Sequence, residues 1–414
     1  MTQPFRGKIA VDIRDSEPDW GPYLAPQAEP GAPNVLYVVW DDLGYATMDT
    51  FGGPVACPNM ARIAERGVKF ANFHTTALCS PTRAALLTGR NHHSVGMGFL
   101  TDVPIGFPGY DGRIPKSAAT LPRILRDNGY ATFAVGKWHL APRWEQSAAG
   151  PFGQWPLGLG FERFYGFLGG DANQWTPELV SDNGFVDPPA RPEDGYHLTE
   201  DLVDRSRRLI LDQQHARPGA PFLLYFAPGA MHAPHQAPAE WIDRYRGHFD
   251  QGWDRWRDGV FAKQVAAGIV PAATELTPRP PWVAEWDSLS HDQRRLYARQ
   301  MECFAGFLSH TDDQIGRLMG TLRELDVLDN TVVVVISDNG TSAEGGPIGS
   351  HNEHRFTHEM LLSEHKNDPE VWAALLDGMP MTAMIRSLAK LSEVGVVSRD
   401  SAGAAKVVNE LGNA

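Results

Sequence analysis

Four short apolar runs divide this chain, and each ends in polar turn residues. Val35–Trp40 (VLYVVW), Ala131–Val135 (ATFAV), Phe222–Ala227 (FLLYFA) and Thr331–Ser337 (TVVVVIS) are rich in β-branched and aromatic residues and have the length of buried strands. Between them, helical patterns cover Pro58–Arg66, Leu121–Asp127, Glu200–Gln214 and Met301–Leu325. Strands alternating with helices predict an α/β fold with a mostly parallel central sheet sandwiched by helices. Residues 1–33 are polar and proline-rich and read as a surface arm. The stretch 241–286 holds Trp241, Trp253, Trp256, Trp282 and Trp286 with several prolines. It is too long for a simple connection and reads as an insertion over a sheet edge, serving either as packing or as a pocket wall.

The residues after each run change the picture. Val35–Trp40 leads into Asp41-Asp42, and Ala131–Val135 into Gly136-Lys137-Trp138-His139. Phe222–Ala227 leads into a loop with His232 and His235, and Thr331–Ser337 into Asp338-Asn339-Gly340. Ligands of open α/β sheets bind outside the carboxyl ends of the strands. Four predicted strands therefore deliver carboxylates, an amide, an amine and imidazoles to one edge.

Composition narrows the class. The chain has 414 residues, 42% of them hydrophobic, which is ordinary for a globular protein with a sizeable core. A formal net charge of -13 argues against a nucleic-acid partner, though a bound cation can invert the field within one cleft. Cys57, Cys79 and Cys303 are too few and too odd in number for a disulfide framework. A reducing compartment fits, so a cytoplasmic protein is expected. The start of the chain carries no signal-peptide pattern, and no segment reaches the ~18 apolar residues of a membrane span.

One segment carries sharper chemistry: Cys79-Ser80-Pro81-Thr82-Arg83, continuing Ala84-Ala85-Leu86-Leu87-Thr88-Gly89-Arg90. Pro81 suits the first turn of a helix, and Ala84–Leu87 are good helix formers. Cys79 would lie at or just before the helix N-terminus, where free backbone N–H groups attract an oxyanion. Arg83, one turn on, adds a cation nearby.

Cys-x-Pro-x-Arg followed by Thr88-Gly89 resembles the signature of the type I sulfatases, the formylglycine-dependent branch of the alkaline phosphatase superfamily. Asp41-Asp42-Leu43-Gly44-Tyr45, Gly136-Lys137-Trp138-His139-Leu140, Met231-His232-Ala233-Pro234 and Ser337-Asp338-Asn339-Gly340 resemble the other site motifs, in family order. The likeness runs from about Pro33 to about His358 and is nearest to bacterial arylsulfatases.

The resemblance implies an alkaline-phosphatase-like α/β fold and a sulfuric ester hydrolase acting on a small-molecule sulfate ester. It implies oxidation of Cys79 to formylglycine by a formylglycine-generating maturation enzyme. It also implies one divalent cation, usually calcium, held by Asp41, Asp42, Asp338, Asn339 and modified residue 79; oxygen-rich ligands suit a hard cation. In the family's chemistry a hydroxyl of the hydrated aldehyde attacks sulfur, and the second hydroxyl later expels the sulfate. His139 is then the candidate base for that second proton, and His232 the candidate acid for the leaving alcohol. Lys137 and Arg83 would neutralise the sulfate oxygens. His92, His93 and His235 stay outside this set, and Cys57 and Cys303 read as buried small hydrophobes.

After about His358 the family pattern stops. A second active-site lysine and a small C-terminal subdomain are expected there. Glu344-Gly345-Gly346 comes too early, and Lys366 lacks the family's flanks. The expected organisation is an arm at 1–33, a catalytic domain at 34–360 and an atypical helical tail at 361–414. The tail belongs either to a truncated product or to a short variant, truncation being the favoured reading, and weak or absent turnover is expected. Two other functions remain open: a phosphonate or phosphate ester hydrolase on the same scaffold, and a non-catalytic metal- or anion-binding descendant.

Overall fold

The computed structural model describes residues 4–342. Within them seven strands form one sheet: β1 (Asn34–Trp40), β2 (Ala131–Lys137), β3 (Arg163–Phe167), β4 (Leu179–Ser181), β5 (Gly184–Val186), β6 (Phe222–Ala227) and β7 (Thr331–Ser337). Their order is β5-β4-β3-β2-β6-β1-β7. The four strands expected from the apolar runs are β1, β2, β6 and β7. They lie side by side and all pair in parallel. β3 also pairs in parallel, with β2, while β4 and β5 finish that side antiparallel. These last three strands are short and interrupted by glycines and turns, which is why no apolar run announces them.

The helices are α1 (Pro58–Glu65), α2 (Cys79–Thr88), α3 (Leu121–Asp127), α4 (Leu198–Ala216), α5 (Ala239–Asp243), α6 (Gly252–Ala266) and α7 (His291–Glu324). α7 starts well before Met301, where its apolar stripe begins. Its first turns are polar, and a reciprocal capping box between Ser290 and Gln293 satisfies its N-terminus.

Alternation along the strands builds two cores, one on each sheet face. On β6, Phe222, Leu224 and Phe226 enter a core shared with Leu198 and Leu202 of α4 and with Leu308, Ile315 and Leu318 of α7. Leu223, Tyr225 and Ala227 enter the opposite core with Ala84 and Leu87 of α2, while Leu121 and Leu125 of α3 pack against it. Fully burying a side chain of this size contributes ~2 kcal/mol, so two-sided cover is what holds the parallel sheet.

The tryptophan-rich segment forms α5, α6 and the turn at Trp286–Ser288. Trp286 is buried, and Trp241, Trp253 and Trp256 pack partly buried against the α4/α7 core. α5 lies on α7: a Cβ on Gly306 of α7 would stand 2.7 Å from the Ile242 backbone. The segment therefore thickens the outer helix layer, where the chain pattern suggested cover for a sheet edge. Trp282 is the exposed exception. Residues 4–33 form two short 3-10 turns and lie mostly exposed. Glu344-Gly345-Gly346, Lys366 and the expected tail at 361–414 lie outside the described residues.

Candidate active site

The carboxyl ends of β2, β6, β1 and β7 stand next to one another, so the residues that follow them meet. The ends are stitched together by main-chain bonds. Asp41 N–H donates to Ala230 O at 2.8 Å, Met231 N–H donates to Asp41 O, and Asp338 N–H donates to Trp40 O at 3.0 Å. Asp42 takes a left-handed backbone, φ 56°, which turns its carboxylate back over the sheet edge. Gly44 follows because a side chain there would run into Thr341 Oγ1.

Helix α2 aims its N-terminus at this edge. Cys79 is its first residue, and the N-cap, Leu78, offers no side-chain oxygen to the first-turn N–H groups. The helix ends in a left-handed Gly89 whose N–H donates to Ala85 O at 2.8 Å. Ligand atoms of Asp41, Asp42, Cys79 and Asp338 all lie within 4.8 Å of one another, and all four residues are buried. Two oxygens across one calcium ion, each ~2.4 Å from it, stand about this far apart. Asn339 Nδ2 donates to Asp42 Oδ1 at 2.5 Å, and the buried Asn339 Oδ1 has no hydrogen-bond partner among the described residues. An unsatisfied oxygen beside three clustered carboxylates fits a divalent cation.

Two cations offset the acidic cluster. Lys137 Nζ donates to both oxygens of Asp41, at 2.8 and 2.7 Å. Arg83 places Nε and Nη2 on Asp338 Oδ2, at 2.9 and 2.7 Å, and Nη1 on Lys137 O at 3.1 Å and Tyr225 Oη at 3.3 Å. Both side chains are fully buried. Burial opposes each charge. Asp41 nevertheless holds the Lys137 ammonium above its ordinary pKa, while Tyr225, Asp338 and Asp41 do the same for Arg83. For Asp41, burial is outweighed by Lys137 and Arg83, and its pKa falls. Asp338 is pushed up, chiefly by burial and then by the charge of Asp41.

Burial pushes the Cys79 thiol up to about 12, Lys137 pulling against it. A protonated thiol is a poor nucleophile.

The histidines occupy opposite sides of the cluster's chemistry. His232 Nδ1 is 2.9 Å from Ala233 O, which can only accept, so Nδ1 carries the proton. Its Nε2 faces Asp42 Oδ2 at 3.7 Å. Burial and Lys137 oppose its charge, but Asp41 and Asp42 raise its pKa above the ordinary value. His139 is buried, and its Nε2 lies 2.8 Å from Asp102 Oδ2. Burial lowers its pKa despite that carboxylate.

Asp41, Asp42, Cys79, Arg83, Lys137, His139, His232, Asp338 and Asn339 thus stand at one sheet edge or beside it. Two partners escaped sequence reasoning. Tyr225 is hidden inside an apolar strand, where only its face on β6 could have flagged it. Asp102 sits in an irregular loop without a motif. A surface cavity of about 650 Å³, lined by Phe73, His74, Pro81 and His92 among others, opens beside α2, and Cys79 is not among its lining residues.

Residues 33–370 match the sulfatase family model, and residues 353–414 match a TROVE domain model. An uncharacterized sulfatase of Schizosaccharomyces pombe is 33% identical over 77% of this chain and 59% of its own length. The arylsulfatase of Klebsiella aerogenes is 30% identical over 77% of this chain and 68% of its own. The crystal structure of Ps i-CgsB superposes with a TM-score of 0.54 at 24% identity, covering 75% of this chain and 59% of that one. The PsFucS1 sulfatase from Pseudoalteromonas sp. gives 0.51 at 20%, covering 77% and 57%. These two likenesses speak for the fold. The chain spans roughly three fifths to two thirds of the length of the S. pombe and Klebsiella relatives. With a match running through the whole described sheet and its strand-end residues, the chain belongs to the sulfatase family.

Proposed function

We propose that this chain hydrolyses sulfate esters of the arylsulfatase type. The observation that carries the reading is the convergence of three carboxylates on Cys79 at the uncapped N-terminus of α2. Asp41, Asp42, Asp338 and Asn339 would hold one calcium ion. Bound there, it would polarise a sulfate oxygen and make a hydroxyl of residue 79 more acidic. Residue 79, oxidised to formylglycine by a maturation enzyme, is the nucleophile in this reading. The first-turn N–H groups of α2, with Arg83 and Lys137, face the anionic sulfate and hold it against residue 79. His232 donates its Nε2 proton to the departing alcohol, and His139 accepts a proton from residue 79. The free state of Cys57, Cys79 and Cys303 supports a cytoplasmic setting.

The test is the tryptic peptide containing residue 79, from chain co-expressed with a formylglycine-generating enzyme. A mass ~18 Da below the cysteine form marks the aldehyde, and sulfate release from an aryl sulfate should vanish in Cys79→Ala. A retained thiol together with no sulfate release would overturn the reading. Parallel rates on sulfate and phosphate esters of one leaving group separate it from phosphate or phosphonate ester hydrolysis.

A further inference from the structure

His139 is held in an unusual way. Its backbone is left-handed, φ 54°, a conformation rare for a residue with a Cβ. Its N–H donates to Leu168 O at 3.1 Å. The imidazole packs against Gly170, where a Cβ would stand 2.8 Å from Cε1 and 3.0 Å from Nε2. The ring is buried, and its two nitrogens differ: Nε2 meets Asp102 Oδ2 at 2.8 Å, whereas Nδ1 has no hydrogen-bond partner among the described residues. An ionised carboxylate only accepts, so the neutral ring must carry its proton on Nε2. That leaves a bare lone pair on Nδ1, inside the protein and beside Lys137 and Arg83.

We propose that Asp102 is a positioning residue that locks His139 as the Nε2–H tautomer and so presents Nδ1 as the proton acceptor of the site. The inference rests on the reading that residue 79 gives up a proton to His139. Asp102 acts through His139 and touches no reacting atom. The same bond lets the carboxylate stabilise the imidazolium once His139 takes a proton, which the positive charges of Lys137 and Arg83 would otherwise oppose. Gly170 and the Leu168 carbonyl fix the position of the ring; Asp102 decides which nitrogen is bare.

The experiment uses the full chain with calcium present. Histidine is ¹⁵N-labelled, and the His139 resonances are identified by their loss in His139→Gln. We expect a protonated, hydrogen-bonded Nε2 and an unprotonated Nδ1, with the Nε2–H signal lost in Asp102→Leu. Turnover of an aryl sulfate by Asp102→Leu should fall ~10²-fold in kcat with KM little changed, and Asp102→Asn should recover part of the loss. A proton on Nδ1 in the unaltered chain, or unchanged kcat in Asp102→Leu, would overturn the inference. If the unaltered chain turns over no sulfate ester, the proposed activity fails, and the nitrogen assignment still decides whether Asp102 sets the tautomer.

Discussion

Lys137 reaches across a strand to Asp41. Lys137 ends β2 and Asp41 directly follows β1, strands that are separated by β6, yet Nζ lies within 2.8 Å of both carboxylate oxygens. Adjacent strands are ~4.8 Å apart, so the pair spans about twice that distance. Small residues clear the way: Gly136 pairs with Ala227, and a Cβ on Gly136, at φ 106°, would collide with the Ala227 carbonyl. This ammonium stands against an acidic cluster that could hold a cation, so a bound ion and Lys137 would both offset the same charge.

Lys137→Met keeps the length of the side chain and removes its charge. Losing one partner of a buried pair costs ~3 kcal/mol, so urea unfolding in chelator should show a loss of that order. Because a bound cation offsets the same carboxylates, added calcium should raise the melting temperature of the variant more than that of the unaltered chain. Equal shifts would show that Lys137 and the ion do not share the cluster.

Arg83→Lys is not a conservative change here. Arg83 spends three nitrogens on Asp338, the Lys137 carbonyl and Tyr225, and its side chain is fully buried. A lysine can satisfy one of these partners at a time. Turnover should fall at least ~10²-fold, and stability by ~2–4 kcal/mol, in paired kinetic and denaturation measurements. Near-normal turnover would remove Arg83 from sulfate binding.

His232→Gln should discriminate between leaving groups. With Nδ1 committed to the Ala233 carbonyl, only Nε2 can donate to the alcohol. A phenol of low pKa leaves without help, whereas an alkyl alcohol needs the proton. The loss should therefore grow from about tenfold on activated aryl sulfates toward ~10³-fold on poor leaving groups. A uniform loss across a leaving-group series would count against His232 as the acid.

Acid should destabilise the fold through His197. Burial, and then His310 at 4.5 Å between ring centroids, lower its pKa to about 4. The Gln236 carbonyl and Glu200, which itself binds His310 at 3.0 Å, pull weakly the other way. Its Nδ1 accepts from Thr199 N–H, so a second ring proton would face another donor. A depressed folded-state value means that the unfolded chain binds the proton first. The stability is complete above about pH 6.5 and is lost as pH falls toward 4, by up to ~3 kcal/mol. Urea midpoints at pH 7 and pH 5 should differ less in His197→Gln; an equal difference would assign the acid sensitivity elsewhere.

Much of this architecture was legible along the chain. Strand β6 coincides with its apolar run because a strand buried on both faces is written as a continuous apolar stretch, a local property of the chain. The start of α2 at Cys79 was also readable, since Pro81 and the alanines that follow act within one or two turns. The order of strand-end motifs pointed to the carboxylate cluster and its histidines. The short strands β3, β4 and β5 were not readable, because their pairing comes from neighbours rather than from their own composition.

Residue type and local spacing alone determined that Asp41, Asp42, Asp338 and Cys79 end or begin regular elements. That Lys137 pairs with Asp41 across β6, that Tyr225 meets Arg83, and that Asp102 selects the bare nitrogen of His139 were decided only in three dimensions. Each of those contacts joins residues dozens of positions apart. Which partners meet depends on the strand order set by the crossovers and on burial that leaves a polar atom no water to choose instead.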